Sequence, residues 1–404
     1  MTLNITAENT IPCTGCGVCS VSCPVKAITI CENSDGYYEP QLDSNKCINC
    51  GACQNVCYKY NQTTYLPKLI DKECFATHSS NDHTHQTTTS GGFAYELCRW
   101  GIENGYKVIG VAYDYLTNRA ITTIVNNLTD LEQLKGSKYI QSYTEEAFDK
   151  FVALAMQNKN DKFICIGTPC QIFGLHRLIK AKRLQNNIIF VDLFCHGVPS
   201  YLVWRPYIQQ MQDKLGKLTN VNFRYKGNGW HQYSIKIIGE HGAYTNYAYN
   251  DIFYRYFFDN VALNKSCFEC TLRQGYAASD IRIGDFLGKT YEHREDGISS
   301  AVAITTKGAN VIAELEHRGY IKVIGRHSAS ECLKSQCTED YRGIELRNEV
   351  IKKLQNGDIC KTMRWYIGQF PLRQRIYLRL KSFSTLFPSK LIILIRRAVR
   401  TIKA

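Results

Sequence analysis

Beyond Asp358 the chain contains no aspartate or glutamate, although eleven lysines and arginines follow. The net charge is +13, and removing that tail leaves +2 on the rest. A nearly neutral body with one basic tail excludes a uniformly basic nucleic-acid binder. The opening MTLNITAENT lacks the charged, then apolar, pattern of a signal peptide, which predicts a cytoplasmic protein. No GxGxxG follows a predicted strand and no GxxxxGK[ST] occurs, so neither a Rossmann dinucleotide site nor a P-loop is supported. Long apolar runs are missing too. In the tail FSTLFPSKLIILIRRAVRTIKA, Pro388 and Lys390 interrupt any approach to the ~18 apolar residues of a spanning helix. That composition suits an amphipathic helix on an anionic membrane, peripheral on its inner face, or on an acidic protein. A solvated basic tail remains the alternative.

Cysteine, by contrast, is abundant: 19 residues, unevenly placed. CTGCGVCSVSCP begins at Cys13 and CINCGACQNVC at Cys47, each spaced C-x2-C-x2-C-x3-C. This is the spacing of a ferredoxin with two 4Fe–4S clusters, in which the fourth cysteine of each run ligates the other cluster. The rule assigns Cys13, Cys16, Cys19 and Cys57 to one cluster, and Cys47, Cys50, Cys53 and Cys23 to the other. Gly15, Gly17 and Gly51 permit the tight turns such loops need. Pro24 follows the first run, whereas Tyr58 replaces proline after the second. A single tetrahedral zinc would leave half of the eight thiolates unused, and no histidine lies among them. Thiolate clusters also need a reducing compartment.

With 404 residues and 44% hydrophobic content, the chain suits a small head and a larger packed body. Residues 1–62 read as the two-cluster domain, 73–345 as the body and 359–404 as the basic tail. Glu73–Thr89 is polar and reads as a loop, including His78, His83 and His85. Phe93, Leu97 and Trp100 recur at helical spacing. Strands are expected at Tyr106–Tyr113, Ile121–Val125, Lys162–Gly167, Ile188–Phe194, Val221–Tyr225, Tyr233–Ile238, Asp280–Phe286 and Ala301–Thr306. Helices are expected from Thr144, from Thr168-Pro169, at Leu202–Leu215 and at Lys307–Arg318. The alternation predicts an α/β body around a mixed sheet, preceded by a small α+β ferredoxin domain.

Four short stretches invite chemistry. Ser90–Gly92 and Gly167–Cys170 open helices, where free N–H groups receive anions such as a pyrophosphate. Gly136–Tyr139 (GSKY) and Asp296–Ser300 (DGISS) are polar turns. Taken alone, each of the four is better read as a helix cap or surface turn. Cys267-x2-Cys270 is a ligand pair, and Cys170 and Cys195 each follow a buried strand. A redox-active pair, a zinc knuckle and plain buried thiols are the competing readings.

SGGF, GSKYIQS, GTPCQIFGL, DLFCHGVPS, FRYKGNGW and CFEC…SDIRIGDF occur in an order that resembles the family of coenzyme F-420 hydrogenase/dehydrogenase beta subunits, in its branch with a fused two-cluster ferredoxin. The similarity runs from about Cys13 to about Gly308. The resemblance implies FAD near Ser90, Gly91, Gly92, Ser137, Lys138 and Thr168. It also implies a third 4Fe–4S cluster on Cys170, Cys195, Cys267 and Cys270. Leu287 stands where many relatives have tryptophan, so the substrate is left open. The implied activity is an iron–sulfur flavoprotein oxidoreductase exchanging electrons with ferredoxin, a deazaflavin or another donor. Its substrate would be a small organic molecule or glycan precursor. The other reading is an electron-transfer subunit that docks a catalytic partner. No catalytic residue is assigned, and His196 is expected to make a structural hydrogen bond.

Overall fold

The computed structural model describes residues 3–8, 11–61, 63, 65–184 and 186–384, the side chains of 380–384 excepted. The tail expected to form an amphipathic helix lies, from Thr385 onward, outside the described residues. Among the described residues no helix is long and apolar enough to cross a membrane.

The first cysteine run ends in a five-residue helix, Val18–Ser22, and the second in another, Ala52–Val56. Each starts from a left-handed glycine, Gly17 (φ 78°) and Gly51 (φ 74°). An antiparallel hairpin, β1 (Ile28–Glu32) and β2 (Tyr38–Leu42), lies between them. Helices this short do not persist alone. Val18, Val21 and Val56 bury themselves against Phe148, Phe151, Ile172 and Leu175 of two body helices, Glu145–Gln157 and Pro169–Ala181. Gly174 makes room, because a Cβ there would sit 2.8 Å from a Val18 methyl.

The body adds β3 (Glu73–Ser79), β4 (Tyr106–Asp114), β5 (Arg119–Val125), β6 (Ser142–Tyr143), β7 (Lys162–Gly167) and β8 (Asn187–Leu193). It continues with β9 (Leu218–Asn222), β10 (Ser234–Gly239), β11 (Gly242–Tyr247), β12 (Ile281–Asp285), β13 (Ser299–Ala303) and β14 (Ile321–Ser328). One nine-stranded mixed sheet runs β14-β3-β13-β12-β8-β7-β4-β5-β6, and β11-β10-β9 form a second, antiparallel sheet. β12, β8, β7 and β4 are mutually parallel. Their side chains alternate between faces as the pleat requires. Ile109, Phe163, Cys165, Ile188 and Phe190 meet the two helices that carry the ferredoxin-type module. Val108, Ile164, Ile189 and Val191 meet Phe93, Leu97, Ile312 and Leu315 on the other face.

Three expectations need correction. Glu73–Thr89 is not a loop: it forms β3 and a helix, Asp82–Thr87. β3 pairs on both edges, and its polar Thr77 and Ser79 are buried, which hides the strand from a reading based on polarity. The strand expected at Val221–Tyr225 is β9, shifted toward the N-terminus, because Phe223 and Arg224 leave the ladder for the interior. β13 stops at Ala303, because the Thr305 hydroxyl caps the helix Thr306–His317 by accepting from the Gly308 N–H at 3.1 Å.

β8 and β12 are in register at Asp192 and Arg282. Both side chains are 1% exposed, and the guanidinium grips the carboxylate twice, at 2.8 and 2.6 Å. The same guanidinium donates to the carbonyls of Leu272 (2.9 Å) and Tyr276 (3.0 Å). Arg282→Met would strand a buried carboxylate at a cost of ~3–5 kcal/mol, whereas adding Asp192→Leu should recover much of it. Denaturant midpoints of the two variants check this.

Candidate functional site

The site is built from cysteines at loop ends. In the first run the Gly15 N–H donates to Cys13 Sγ at 3.3 Å. Two body side chains press on this loop. Gln141 Nε2 donates to the Thr14 carbonyl at 3.2 Å, and Thr144 Oγ1 to the Cys16 carbonyl at 3.0 Å. A Cβ on Gly15 would fall 2.1 Å from Gln141 Nε2, and one on Gly17 2.1 Å from Thr144 Oγ1. Burial pushes the Cys13, Cys16 and Cys19 thiols up, and that of Cys57 up to about 12. On Cys19 the nearby Cys16, Cys13 and Cys57 sulfurs add to the effect. Buried thiols crowded in this way cannot ionise together without a cation among them.

Cys23, Cys47, Cys50 and Cys53 wall a small cavity with Leu3, Asn4, Val25, Ile28, Leu42 and Ile48. Its donors point at sulfur. Ala27 N–H lies 3.2 Å from Cys23 Sγ, Asn49 N–H 3.5 Å and Asn4 Nδ2 3.6 Å from Cys47 Sγ. Amides aimed at thiolates are what an iron–sulfur site requires to stabilise its charge. The donor set fits two cubanes.

The third group comes from three separate elements. Thr168 N–H donates to Gln171 Oε1 at 2.9 Å, which fixes the start of the helix carrying Cys170. Cys195 lies just beyond β8. A Cβ on Gly197 (φ 148°) would stand 3.3 Å from Cys267 Cβ and 3.5 Å from its sulfur, so these loops are pressed together. Arg273 holds the Cys267 and Phe268 carbonyls and lies 3.9 Å above the Tyr341 ring. Burial pushes Cys195 well up, and Cys170 and Cys267 up to about 12. The charges felt by Cys195 after burial are those of Cys267, Cys170 and Cys270. Cys170 feels Cys16 and Cys270 together, and the Thr14 hydroxyl stands beside both Cys16 and Cys170. Cys170 therefore lies between the first quartet and the third group.

Among the expected flavin residues the structure divides the set. Thr168 Oγ1 lies 3.3 Å from Cys170 Sγ and belongs with the third cysteine group. Lys138 Nζ is caught by the carbonyls of Gln133, Leu134 and Lys135 at 3.0–3.2 Å. Burial pushes that ammonium down to about 7, while the three carbonyls favour its charged form. Ser90 Oγ donates to the Ile298 carbonyl at 2.8 Å, and the Ser137 N–H to Thr89 Oγ1 at 3.0 Å. Gly91 and Gly92 are tight against protein. A Cβ on Gly91 would meet the Thr77 carbonyl at 2.3 Å, and one on Gly92 the Thr88 hydroxyl at 3.0 Å.

Sequence reasoning missed the centre of this region. Lys226 Nζ donates to the carbonyls of His85, Ser90 and Asp296 and so gathers the SGG and DGISS loops. Arg224, 1% exposed, donates to Asp285 Oδ2 at 3.1 Å and to the Trp230 carbonyl at 2.8 Å. Trp230 Nε1 donates to Asp285 Oδ1 at 3.0 Å, and the Arg224 Nε is left without a partner. FRYKGNGW and GDF were the available signals. Tyr139 stacks on Phe257 at 5.3 Å, and Phe257 meets His196 at 4.8 Å, so an aromatic wall joins this network to the Cys195 loop. Burial pushes His196 down to about 4, and its Nε2 lies 2.7 Å from Asn260 Oδ1. A neutral imidazole with a fixed partner is structural.

Gly92→Leu should lower thermal stability in flavin-free protein too, because φ is 90° and the side chain would press on Thr88 and Ser79. Thermal melts without added flavin test this, and an effect confined to flavin-loaded protein would contradict it.

Residues 160–327 match the family described as the C terminus of the coenzyme F420 hydrogenase/dehydrogenase beta subunit, and residues 12–60 match the 4Fe-4S dicluster domain. The chain is 22% identical over 195 residues to the F subunit of F(420)H(2) dehydrogenase from Methanosarcina mazei, covering 45% of this chain and 53% of that protein. It is 27% identical over 170 residues to coenzyme F420-dependent sulfite reductase of Methanocaldococcus jannaschii, covering 41% of this chain and 25% of that protein. The matches thus span about half and a quarter of those relatives. A chain of the xenon-derivatised F420-reducing [NiFe] hydrogenase complex of Methanosarcina barkeri is similar at 16% identity and a TM-score of 0.43, over 74% of this chain and 92% of that one. Residues 160–327 therefore belong to the C-terminal family of coenzyme F420 hydrogenase/dehydrogenase beta subunits, and they are joined to a 4Fe-4S dicluster domain at residues 12–60.

Proposed function

We propose that this chain is an iron–sulfur flavoprotein oxidoreductase component that relays electrons through three 4Fe–4S clusters to FAD. The observation that carries the reading is the position of Cys170, which packs against the apolar cluster that contains Cys16 and, together with Cys270, against the cluster around Phe173 and Leu272. Cys13, Cys16, Cys19 and Cys57 would hold one cluster, Cys23, Cys47, Cys50 and Cys53 the second, and Cys170, Cys195, Cys267 and Cys270 the third. Cubanes supply single-electron steps, and bound FAD would supply exchange with a two-electron carrier such as a deazaflavin.

For the flavin, support rests on the resemblance alone, because β3 and β13 close on Gly91 and the Lys226 ammonium is already held by the carbonyls of His85, Ser90 and Asp296. Lys226, pushed down to about 8 by burial, keeps most of its charge at neutral pH. The donor or acceptor would be coenzyme F420, which both curated relatives carry in their names, or a small organic substrate. A non-catalytic relay that docks a separate catalytic protein is the second reading, favoured by the match to one subunit of a dehydrogenase.

Anaerobic reconstitution tests the proposal. Three clusters require about twelve irons per chain and two require about eight. Cys267→Ser with Cys270→Ser should remove about four irons while leaving the N-terminal pair spectroscopically intact. Wild-type protein that never exceeds eight irons refutes the third cluster. Protein that releases no FAD on denaturation refutes the flavin. Reduction of F420 by the isolated chain would separate the enzyme from the relay.

A further inference from the structure

Tyr58 stands where the two-cluster motif carries proline after its last cysteine, and its side chain has left the ferredoxin-type module. The residue is 4% exposed. Its ring meets Phe173 edge-on at 5.8 Å, three residues beyond Cys170. Leu66 and Leu272 complete the packing, with Cys170 and Cys270 against it. The hydroxyl accepts from the Thr271 N–H at 3.1 Å and lies 3.0 Å from Thr271 Oγ1, which is itself 2.7 Å from Thr63 Oγ1. Thr271 directly follows Cys270, which packs against the same apolar cluster. One side chain therefore runs from the residue bonded to Cys57 to the residue bonded to Cys270.

We infer that Tyr58 is a positioning residue that locks the Cys267–Cys270 loop onto the ferredoxin-type module. The inference rests on the three-cluster reading above. Proline could supply the turn after Cys57 but neither the ring against Phe173 nor the hydroxyl at Thr271. Hydrogen bonds that fix a ligand loop hold its thiolates in place and tune the cluster they bind. Removing the hydroxyl, and with it the hold on Thr271, should therefore shift the potential of the third cluster, and removing the ring should loosen its approach to the first.

Tyr58→Phe and Tyr58→Pro, made in the full chain and reconstituted anaerobically, test this by iron content, EPR-monitored redox titration and freeze-quench kinetics. Tyr58→Phe should keep all its iron and both N-terminal potentials, and shift only the third potential. Tyr58→Pro should slow electron arrival at the third cluster by about tenfold. A third potential unmoved in Tyr58→Phe, with about twelve irons present, overturns this inference and spares the proposed function. An equal shift of all three potentials also overturns it. About eight irons in the wild type overturns both.

Discussion

The Arg282–Asp192 pair joins two adjacent strands, β8 and β12, beside the Cys195 and Cys267 loops. β8 continues from Asp192 to Cys195, and β12 ends at Asp285 in the polar network around Arg224. Arg282 also holds the carbonyls of Leu272 and Tyr276, immediately after the Cys267–Cys270 pair. A buried ion pair is tolerable only when each group is well partnered, because desolvation of either charge alone is expensive. Here the guanidinium makes four bonds, and the Phe194 ring lies 5.9 Å from it. The arrangement sets the register of the two strands, and that register sets the relation between the Cys195 and Cys267 loops.

On this frame the thiols are placed where the bare protein does not favour them. Burial pushes Cys195 and Cys19 strongly up, and neighbouring thiols push in the same direction. In the proposed clusters iron would reverse that balance, since a metal-bound sulfur is held as thiolate. Cluster assembly and folding of these loops would then be coupled, as in other sites whose ligands repel in the metal-free state. Inward N–H groups at Cys13, Cys23 and Cys47 contribute the remaining stabilisation of negative charge.

The ferredoxin-type module is not self-contained. Gln141 and Thr144, from the body, hold the carbonyls of Thr14 and Cys16, and Val18 enters the space left by Gly174. Tyr37 donates to the Ala262 carbonyl at 2.8 Å, and the Tyr201 N–H to the Gly36 carbonyl at 2.9 Å. Helices of five residues gain their stability from such packing rather than from propensity. The consequence for electron transfer is geometric: the first quartet is fixed against the helix that carries Cys170.

The eight N-terminal cysteines were legible because a loop that wraps a cubane uses local spacing, and local spacing is written in the chain. Several elements were legible for the same reason: the short apolar runs of β7 and β8, and Thr168-Pro169 at a helix start. Glycine roles were not. Gly91 and Gly92 suggested room for a cofactor, but the need for close approach is the same whether a ligand or another strand approaches, and here β3 and β13 do. Arg224, Lys226 and Asp285 lie in the FRYKGNGW and GDF stretches, where no role was assigned to them. Their burial depends on partners tens of residues away, which no window of sequence contains. By itself the sequence determined which residues can bind iron and how the N-terminal thiols are spaced. Only the tertiary structure decided which thiols become neighbours and which charges are withdrawn from water, because both depend on strand register and on packing between distant segments.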